Sequence, residues 1–479
     1  MIDELFWITP EIALTIGAMV VLLADLFFRK RFPQTGYLLS QLTLLAAFVL
    51  TLNLVKYPSQ QVFSHSFVMD GLGNFLKSVI YVFASFVLMY SREYIEDRKF
   101  NSGEYYVLSL FSILGMMILI SAGSLLTLYL GLELVSLPLY ALIAFAKETE
   151  KAEEASMKYF VMGALASGIL LYGISLLYGI TGSFDIKTVS THLMTYGSNT
   201  PVVLVLSIVL VLAGLGFKLG AVPFHMWIPD VYQGSPSSVT LFIGTLPKLA
   251  GFGMAIRLLK DTLMALQAEW SQVLMIMAVL SLAVGNIAAI QQTNLKRMLG
   301  YSTIAHIGFV LLGLLAGPRV DFSAALAYVI IYSLMALGAF GIIVSLSTQG
   351  FEAEKISDFK GLGRTHPWIA FLMLLILFSL AGVPPLVGFY AKLMVLNALI
   401  EAGFVGLAIV AVLFTVIGAY YYLNVVRVMF FEEPVPSSIP TAISTHQITA
   451  LSLNGLAVLL LGIFPAPLIA LCLAALGGL

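Results

Sequence analysis

A chain of 479 residues with 60% apolar residues, 10% charged residues and a mean hydropathy of +1.00 lacks the polar material to cover a soluble domain. Its formal charge of −1 gives no basic face for nucleic acid. One cysteine, Cys472, excludes a disulfide framework, an iron–sulfur centre and a cysteine zinc site within the chain.

Apolar runs recur from end to end, each long enough to cross a hydrocarbon core of roughly 30 Å. They predict spans near 8–28, 37–55, 70–90, 105–121, 124–146, 157–180, 201–222, 237–259, 270–291, 298–317, 323–347, 367–399, 403–430 and 449–472. The first, Ile8 to Phe28, is too long for a signal-peptide core and no small-residue cleavage site follows it, so it reads as a retained helix. Only Ala122 and Gly123 separate the fourth and fifth. The expected fold is an all-α polytopic membrane protein of about fourteen helices, one membrane domain over residues 1–479.

With the N-terminus outside, fourteen lysines and arginines fall in inner loops, among them Arg29, Lys30, Lys99 and Lys147, and five in outer loops. An even number of spans then places both termini on the outer side. Trp7, Trp227, Trp270 and Trp368 all fall at predicted span edges, where an aromatic belt is expected.

A small-residue turn with Val-Pro occurs at Leu212-Ala213-Gly214…Val222-Pro223 and again at Leu380-Ala381-Gly382-Val383-Pro384, about 160 residues on. Five spans separate the two, so the second copy would lie upside down in the membrane, as in inverted-repeat transporters. Gly and Pro are also simply frequent in membrane helices.

Lys77, Lys158, Lys218, Lys248, Lys392 and Glu133 lie inside these apolar spans. A charge at a helix centre costs about 2.5–3.5 kcal/mol on insertion scales, so such residues point to function unless they can reach an interface. Lys77 is close enough to a span end for snorkelling to account for it. Lys158 opens its span beside Glu153 and Glu154, and snorkelling and function both remain open. Glu133 is short and near mid-depth, which makes it the natural counter-ion for a buried lysine. Lys218 lies five residues before Pro223, Lys248 follows Pro247, and Lys392 follows Pro384-Pro385. Each proline frees backbone carbonyls that can solvate a cation or a hydrated proton. Desolvation lowers a lysine pKa and a nearby carboxylate raises it, so a buried lysine switches its proton when its partner moves. His306 could relay protons or be a satisfied interhelical hydrogen bond. His225 follows Pro223 at the inner edge, with Asp230 beyond it. The six histidines show no metal-ligand spacing, and neither a P-loop nor a GxGxxG fingerprint occurs.

The stretch Pro223-Phe-His-Met-Trp-Ile-Pro-Asp-Val-Tyr-Gln-Gly-Ser-Pro236, running on to Pro247-Lys248, resembles the signature of the antiporter-like membrane subunits of respiratory complex I. Asn294-Leu-Lys-Arg-Met-Leu-Gly-Tyr-Ser-Thr-Ile-Ala-His-Ile-Gly308 is similarly typical of that family. Pro-Asp-Val-Tyr and the following Gly-x-Pro resemble its subunit N branch, whose siblings L and M usually carry Pro-Asp-Ala-His. Lys392, where branch M usually has glutamate, and the absence of a long lateral helix like that of branch L agree.

The resemblance implies three N-terminal helices over 1–100, inverted five-helix repeats over 105–260 and 270–430 with a broken helix in each, and a last helix over 449–472. It implies that Glu133 and Lys218 form the charge pair of a first half-channel, that Lys248 bridges to a second, and that Lys392 faces the outer exit. Lys158, Lys296, His306 and His225 would fill out the polar axis. No cofactor is expected in this chain, since NADH, FMN, iron–sulfur clusters and quinone belong to other parts of the complex. Expected partners are the antiporter-like M subunit, small membrane subunits and the lipid bilayer. The implied function is proton translocation as a non-redox subunit of NADH:quinone oxidoreductase. Rivals are a subunit of a multi-subunit cation/proton antiporter, a subunit of a membrane-bound hydrogenase and a passive scaffold; the cost of the buried charges counts against the last.

Overall fold

The computed structural model describes residues 2–477 except 29, 30, 33, 99, 101, 147, 148, 197–199 and 435–442. Arg29, Lys30, Lys99 and Lys147, which contribute to the charge asymmetry above, therefore lie outside the described residues. The protein is almost entirely helical, and among the described residues thirteen helices are long and apolar enough to cross a membrane. The remaining predicted span, 367–399, is two half-length helices in series.

In chain order the spanning elements are α1 (Thr9–Phe28), α2 (Thr35–Leu54), α3 (Gly71–Asp97), α4 (Ser102–Ile120), α5 (Leu125–Ile143) and α6 (Glu150–Thr181). There follow α7 (Val202–Leu219), the short α8 (Trp227–Gly234), α9 (Ser237–Ile256), α10 (Gln267–Ile290), α11 (Leu295–Ala316) and α12 (Ser323–Leu346). The broken pair α13 (Pro367–Ala381) and α14 (Val387–Glu401) precedes α15 (Val405–Phe431), α16 (Thr445–Ile463) and the short α17 (Ala466–Ala475). One hairpin, β1 (Gln60–Val62) with β2 (Phe67–Met69), pairs antiparallel with Gln61 opposite Val68. It lies across the tight α4–α5 turn, where Val68 N donates to Ser121 O at 2.8 Å and Gly123 N to Ser66 O at 3.0 Å.

Burial sorts the helices. α9 and α12 are apolar all round and enclosed along their whole length, the pattern of a bundle centre. α1, α2 and α15 expose large apolar side chains such as Leu23, Leu42 and Val416, faces suited to lipid. Pro247 lies inside α9 without breaking it, against the expectation that every central lysine sits at a proline break. Packing on every side holds the helix through the proline, and Thr245 Oγ1 adds a local bond to Leu241 O at 2.7 Å.

The true breaks are at 220–226 and 382–386, where the small-residue echo was read. α7 ends on Gly220 at φ 85° and α13 on Gly382 at φ 90°, the left-handed conformation that glycine adopts without strain. A second feature also occurs twice. The N-cap of α5, Ser124, bridges to Asp185, and the N-cap of α11, Asn294, bridges to Lys355, each in the segment after the next helix.

Candidate functional site

Lys218 lies in the last turn of α7, buried. Its Nζ donates to Ser136 Oγ on α5 at 3.0 Å, and Ser136 in turn donates to Leu132 O at 2.7 Å. Glu133 lies one turn before Ser136 on the same helix face and within Coulombic reach of Lys218. Its Oε1 is buried with no hydrogen-bond partner among the described residues. The expected charge pair is thus not in contact: the ammonium rests on a neutral acceptor, the Ser136 hydroxyl, and the carboxylate acts on it only through space.

Lys248 projects from the centre of α9 into the first break. Its Nζ donates to Leu219 O, the last residue of α7, at 2.9 Å, and lies 5.0 Å from the Trp227 ring centroid. The left-handed turn at Gly220 leaves that carbonyl free of a helical partner, and a Cβ on Gly220 would lie 3.5 Å from the ammonium. Trp227 and Trp270 are both buried, so they do not join an aromatic belt. Trp227 serves instead as a cation–π face under Lys248, and Trp270 Nε1 donates to Leu263 O at 3.0 Å.

Lys392, on α14, repeats this arrangement at the second break. Its Nζ donates to Leu380 O at 2.9 Å and to Ala381 O at 3.0 Å, the last two carbonyls of α13. None of Lys218, Lys248 and Lys392 forms an ion pair among the described residues; their acceptors are a hydroxyl and helix-end carbonyls. Between the two breaks lies His306 on α11. Its Nδ1 bonds Tyr328 Oη at 2.8 Å and its Nε2 bonds Tyr422 Oη at 3.1 Å. Tyr422 also meets Ser302 Oγ at 2.5 Å, and Tyr332 donates to Thr303 Oγ1 at 2.7 Å. The hydroxyls around the imidazole come from α11, α12 and α15.

The remaining candidates are Lys158, Lys296 and His225. Lys158 is half-exposed and held by Glu154 at 2.7 Å and Asp230 at 2.8 Å, with Arg297 closing on Asp230 at 2.6 Å. These residues line an open cavity of about 180 Å³ rather than the buried row. Lys296 is buried in the first turn of α11, donating to Ser235 O at 3.0 Å, and lies 3.5 Å from Glu354. Glu352 accepts from Ser237 Oγ at 2.6 Å, Arg98 at 2.8 Å and Tyr94 Oη at 2.5 Å. Burial works to raise the Glu352 carboxyl, but the charges of Lys296 and Arg98 and the bonds from Ser237 and Tyr94 hold it below its ordinary value. His225 sits in the first break, partly buried, its Nδ1 unpartnered among the described residues.

The arrangement is a row of neutral-solvated lysines, a hydroxyl-clamped histidine and an ionic rim. The family model described as NADH:quinone oxidoreductase/Mrp antiporter, transmembrane, matches residues 122–418. NADH-quinone oxidoreductase subunit N of Thioalkalivibrio sulfidiphilus is 53% identical over 475 residues, covering 99% of this chain and 98% of its own. The chain belongs to the subunit N family.

A chain of respiratory complex I from Thermus thermophilus, solved with bound aureothin, is similar at 29% identity and a TM-score of 0.82, over 96% of this chain and 98% of its own. A chain of the Mrp complex from a Dietzia species shares the fold, with a TM-score of 0.86 at 21% identity over 100% of this chain and 98% of its own. Glu133, Lys218, Lys248, His306 and Lys392 all fall inside the residues that the family model matches.

A buried charged pair falls outside them. Lys77 is buried, not snorkelling, and its Nζ meets Glu11 Oε1 of α1 at 2.5 Å. Glu11 is a second buried carboxylate within a spanning helix, so Glu133 does not stand alone in that respect. Sequence reading passed over it because it lies near the start of its run, where a carboxylate ordinarily reaches water. Ser136, Tyr328 and Tyr422 carried no hydropathy signal and were likewise passed over.

Proposed function

We propose that this chain is a proton-translocating, non-redox membrane subunit of a bacterial NADH:quinone oxidoreductase. It lies in the inner membrane with both termini periplasmic and its two five-helix segments arranged as inverted repeats. Hydride and electron chemistry belongs to NADH, FMN, iron–sulfur and quinone sites in partner subunits, and the antiporter-like M subunit and small membrane subunits are its neighbours. The observation that carries the reading is three buried lysines without a carboxylate in contact. An ammonium held by carbonyls or a hydroxyl, with no fixed counter-charge, releases its proton when a carboxylate withdraws and rebinds it when one approaches.

Protons enter through the inner rim around Lys296 and Glu352. Lys218 is the first buried carrier: rotation of Glu133 toward it favours the charged form, and return to the Ser136 contact favours release. Lys248 takes the proton onward, held at the first break by Leu219 O and Trp227. His306 and its hydroxyl shell link Lys248 to Lys392, and Lys392 delivers the proton to the outer side. The lysines need no change of fold for this, only movement of their partners.

A cation/proton antiporter subunit is the second reading, supported by a fold match as close as that to complex I. Fold alone does not separate the two. Sequence does, since full-length relatives named subunit N lie near 50% identity while the Mrp chain lies at 21%. The deciding experiment separates gently solubilised membranes on a native gel and follows this chain against NADH dehydrogenase activity. Co-migration in a large assembly is expected. Migration apart from that activity, with salt sensitivity on deletion, would overturn the complex I reading in favour of the antiporter.

A further inference from the structure

Lys296 and Glu352 form one edge of a cavity of about 770 Å³, at the end of the bundle where α3 and α5 finish and α4, α9 and α11 begin. Among the described residues three cations and three carboxylates line it. The cations are already engaged: Arg98 meets Glu352 at 2.8 Å, and Lys296 and Lys151 lie 3.5 and 4.0 Å from Glu354. A ligand of net charge would upset this balance and leave a charge uncompensated, whereas a zwitterion preserves it. Tyr94, Phe100 and Phe145 add an aromatic wall. Phe100, between α3 and α4, and Phe145, just past α5, are half-buried and meet with centroids 5.6 Å apart and planes at 88°. Arg98 already lies 3.7 Å from the Tyr94 ring centroid, but no described cation stands over Phe145.

A corner between perpendicular rings receives an ammonium group by cation–π attraction. Lys151 supplies the opposite pole. It is 74% exposed and the most loosely held of the three cations, and lysine binds phosphate as a point charge. A third observation decides between a free zwitterion and a lipid. Leu137 is 56% exposed on α5, Ala141 is exposed one turn on, and this i, i+4 ridge ends at Phe145. It runs for about 12 Å, most of the depth of one leaflet in a hydrocarbon core of roughly 30 Å. We infer that the cavity binds the head group of a zwitterionic aminophospholipid. The ammonium sits in the Phe100–Phe145 corner, the phosphate meets Lys151, and one acyl chain lies along Leu137 and Ala141. The site goes beyond the proton-path reading and stands whether or not that reading holds.

The test uses the intact complex, checked on native gels and reconstituted in vesicles of phosphatidylethanolamine and phosphatidylglycerol in equal parts. Trace photoactivatable phosphatidylethanolamine or phosphatidylglycerol, with identical tails, is cross-linked and mapped by peptide. The ethanolamine probe is expected to label the end of α5 several-fold more than the glycerol probe, while the exposed face of α15 takes both equally. Phe145→Leu keeps an apolar side chain but removes the π face, and should lower the excess about two- to fivefold. Ala146→Trp fills the cavity without touching a charged pair and should abolish the excess, with α15 labelling unchanged. Equal labelling of α5 by the two probes would mean ordinary bilayer contact and overturn the inference. So would an excess that survives both variants. A bare α5 end beside a labelled α15 would also overturn it, because a partner chain then covers the cavity. Loss of the excess on adding water-soluble glycerophosphoethanolamine would assign the site to a free zwitterion and overturn the lipid.

Discussion

Lys248 Nζ bonds Leu219 O at 2.9 Å, and this contact closes a helix end that Gly220 leaves open. Lys392 makes the corresponding contact with Ala381 O, just before Gly382, at 3.0 Å and adds Leu380 O at 2.9 Å. Each break therefore makes its own acceptor for the cation that sits in it. A helix end presents partial negative charge at its unpaired carbonyls, which steadies an ammonium without the deep trap of a carboxylate. That weak hold suits a group that must give up its proton.

Gly220 is needed for both its conformation and its lack of a side chain. Alanine at that φ costs about 1–2 kcal/mol, and its Cβ would lie 2.0 Å from Ile228 Cδ1. Gly220→Ala should lower the amount of intact complex, as seen on native gels. Adding Ile228→Val removes the clashing atom but not the strain, so recovery should be partial. Full recovery would show that the left-handed turn carries no cost.

Ser136, the acceptor of Lys218 Nζ, is predicted to matter in its own right. Ser136→Ala removes the neutral acceptor at a cost of about 1–3 kcal/mol for an unpaired buried donor, and favours direct closure of Lys218 on Glu133. Proton uptake should fall several-fold in assembled complex, less than in Lys218→Met, where the carrier is gone. Ser136→Thr keeps the hydroxyl and should retain most activity. Equal uptake in Ser136→Ala and wild type would remove the serine from the path.

Spans and breaks were legible because both are local: run length marks a span, and Gly with Pro marks an unwound end. Lys218, Lys248 and Lys392 were legible because an apolar run makes a lysine conspicuous. Partners were not. Glu11 meets Lys77 across 66 positions of sequence, and Ser136 meets Lys218 across 82, distances over which no periodicity speaks. Trp227 looked like an interface anchor by position, yet the break at 220–226 folds it inward beneath Lys248. Pro247 looked like a break, yet a fully enclosed helix tolerates it.

The Glu11–Lys77 pair is predicted to be structural, since it lies on α1 and α3, away from the lysine row. Removing one partner leaves a buried, uncompensated charge, worth about 3–5 kcal/mol, whereas replacing both is often nearly neutral. Lys77→Met should lower the thermal stability of the solubilised complex, and Glu11→Gln with Lys77→Met should restore most of it. Proton uptake per NADH in the double variant should equal wild type. A pumping defect in a stable double variant would place the pair on the proton path after all.

Glu352 gives the ionic rim a defined pH response. Its native pKa is held down by Lys296, Arg98, Ser237 and Tyr94 against the opposing effect of burial, so folding favours its ionised form. The stabilisation is present above the ordinary glutamate pKa and is lost as pH falls through the depressed native value. Glu352→Gln keeps the shape and removes the charge. At neutral pH it should weaken the closure of the loop after α12 onto Arg98 by about 1–2 kcal/mol. Hydrogen exchange of residues 347–360 across a pH series would read this directly. Wild type should lose protection as the medium is acidified and converge on Glu352→Gln, whose protection should change less with pH. Parallel curves for the two proteins would mean that the carboxylate does not hold the rim together.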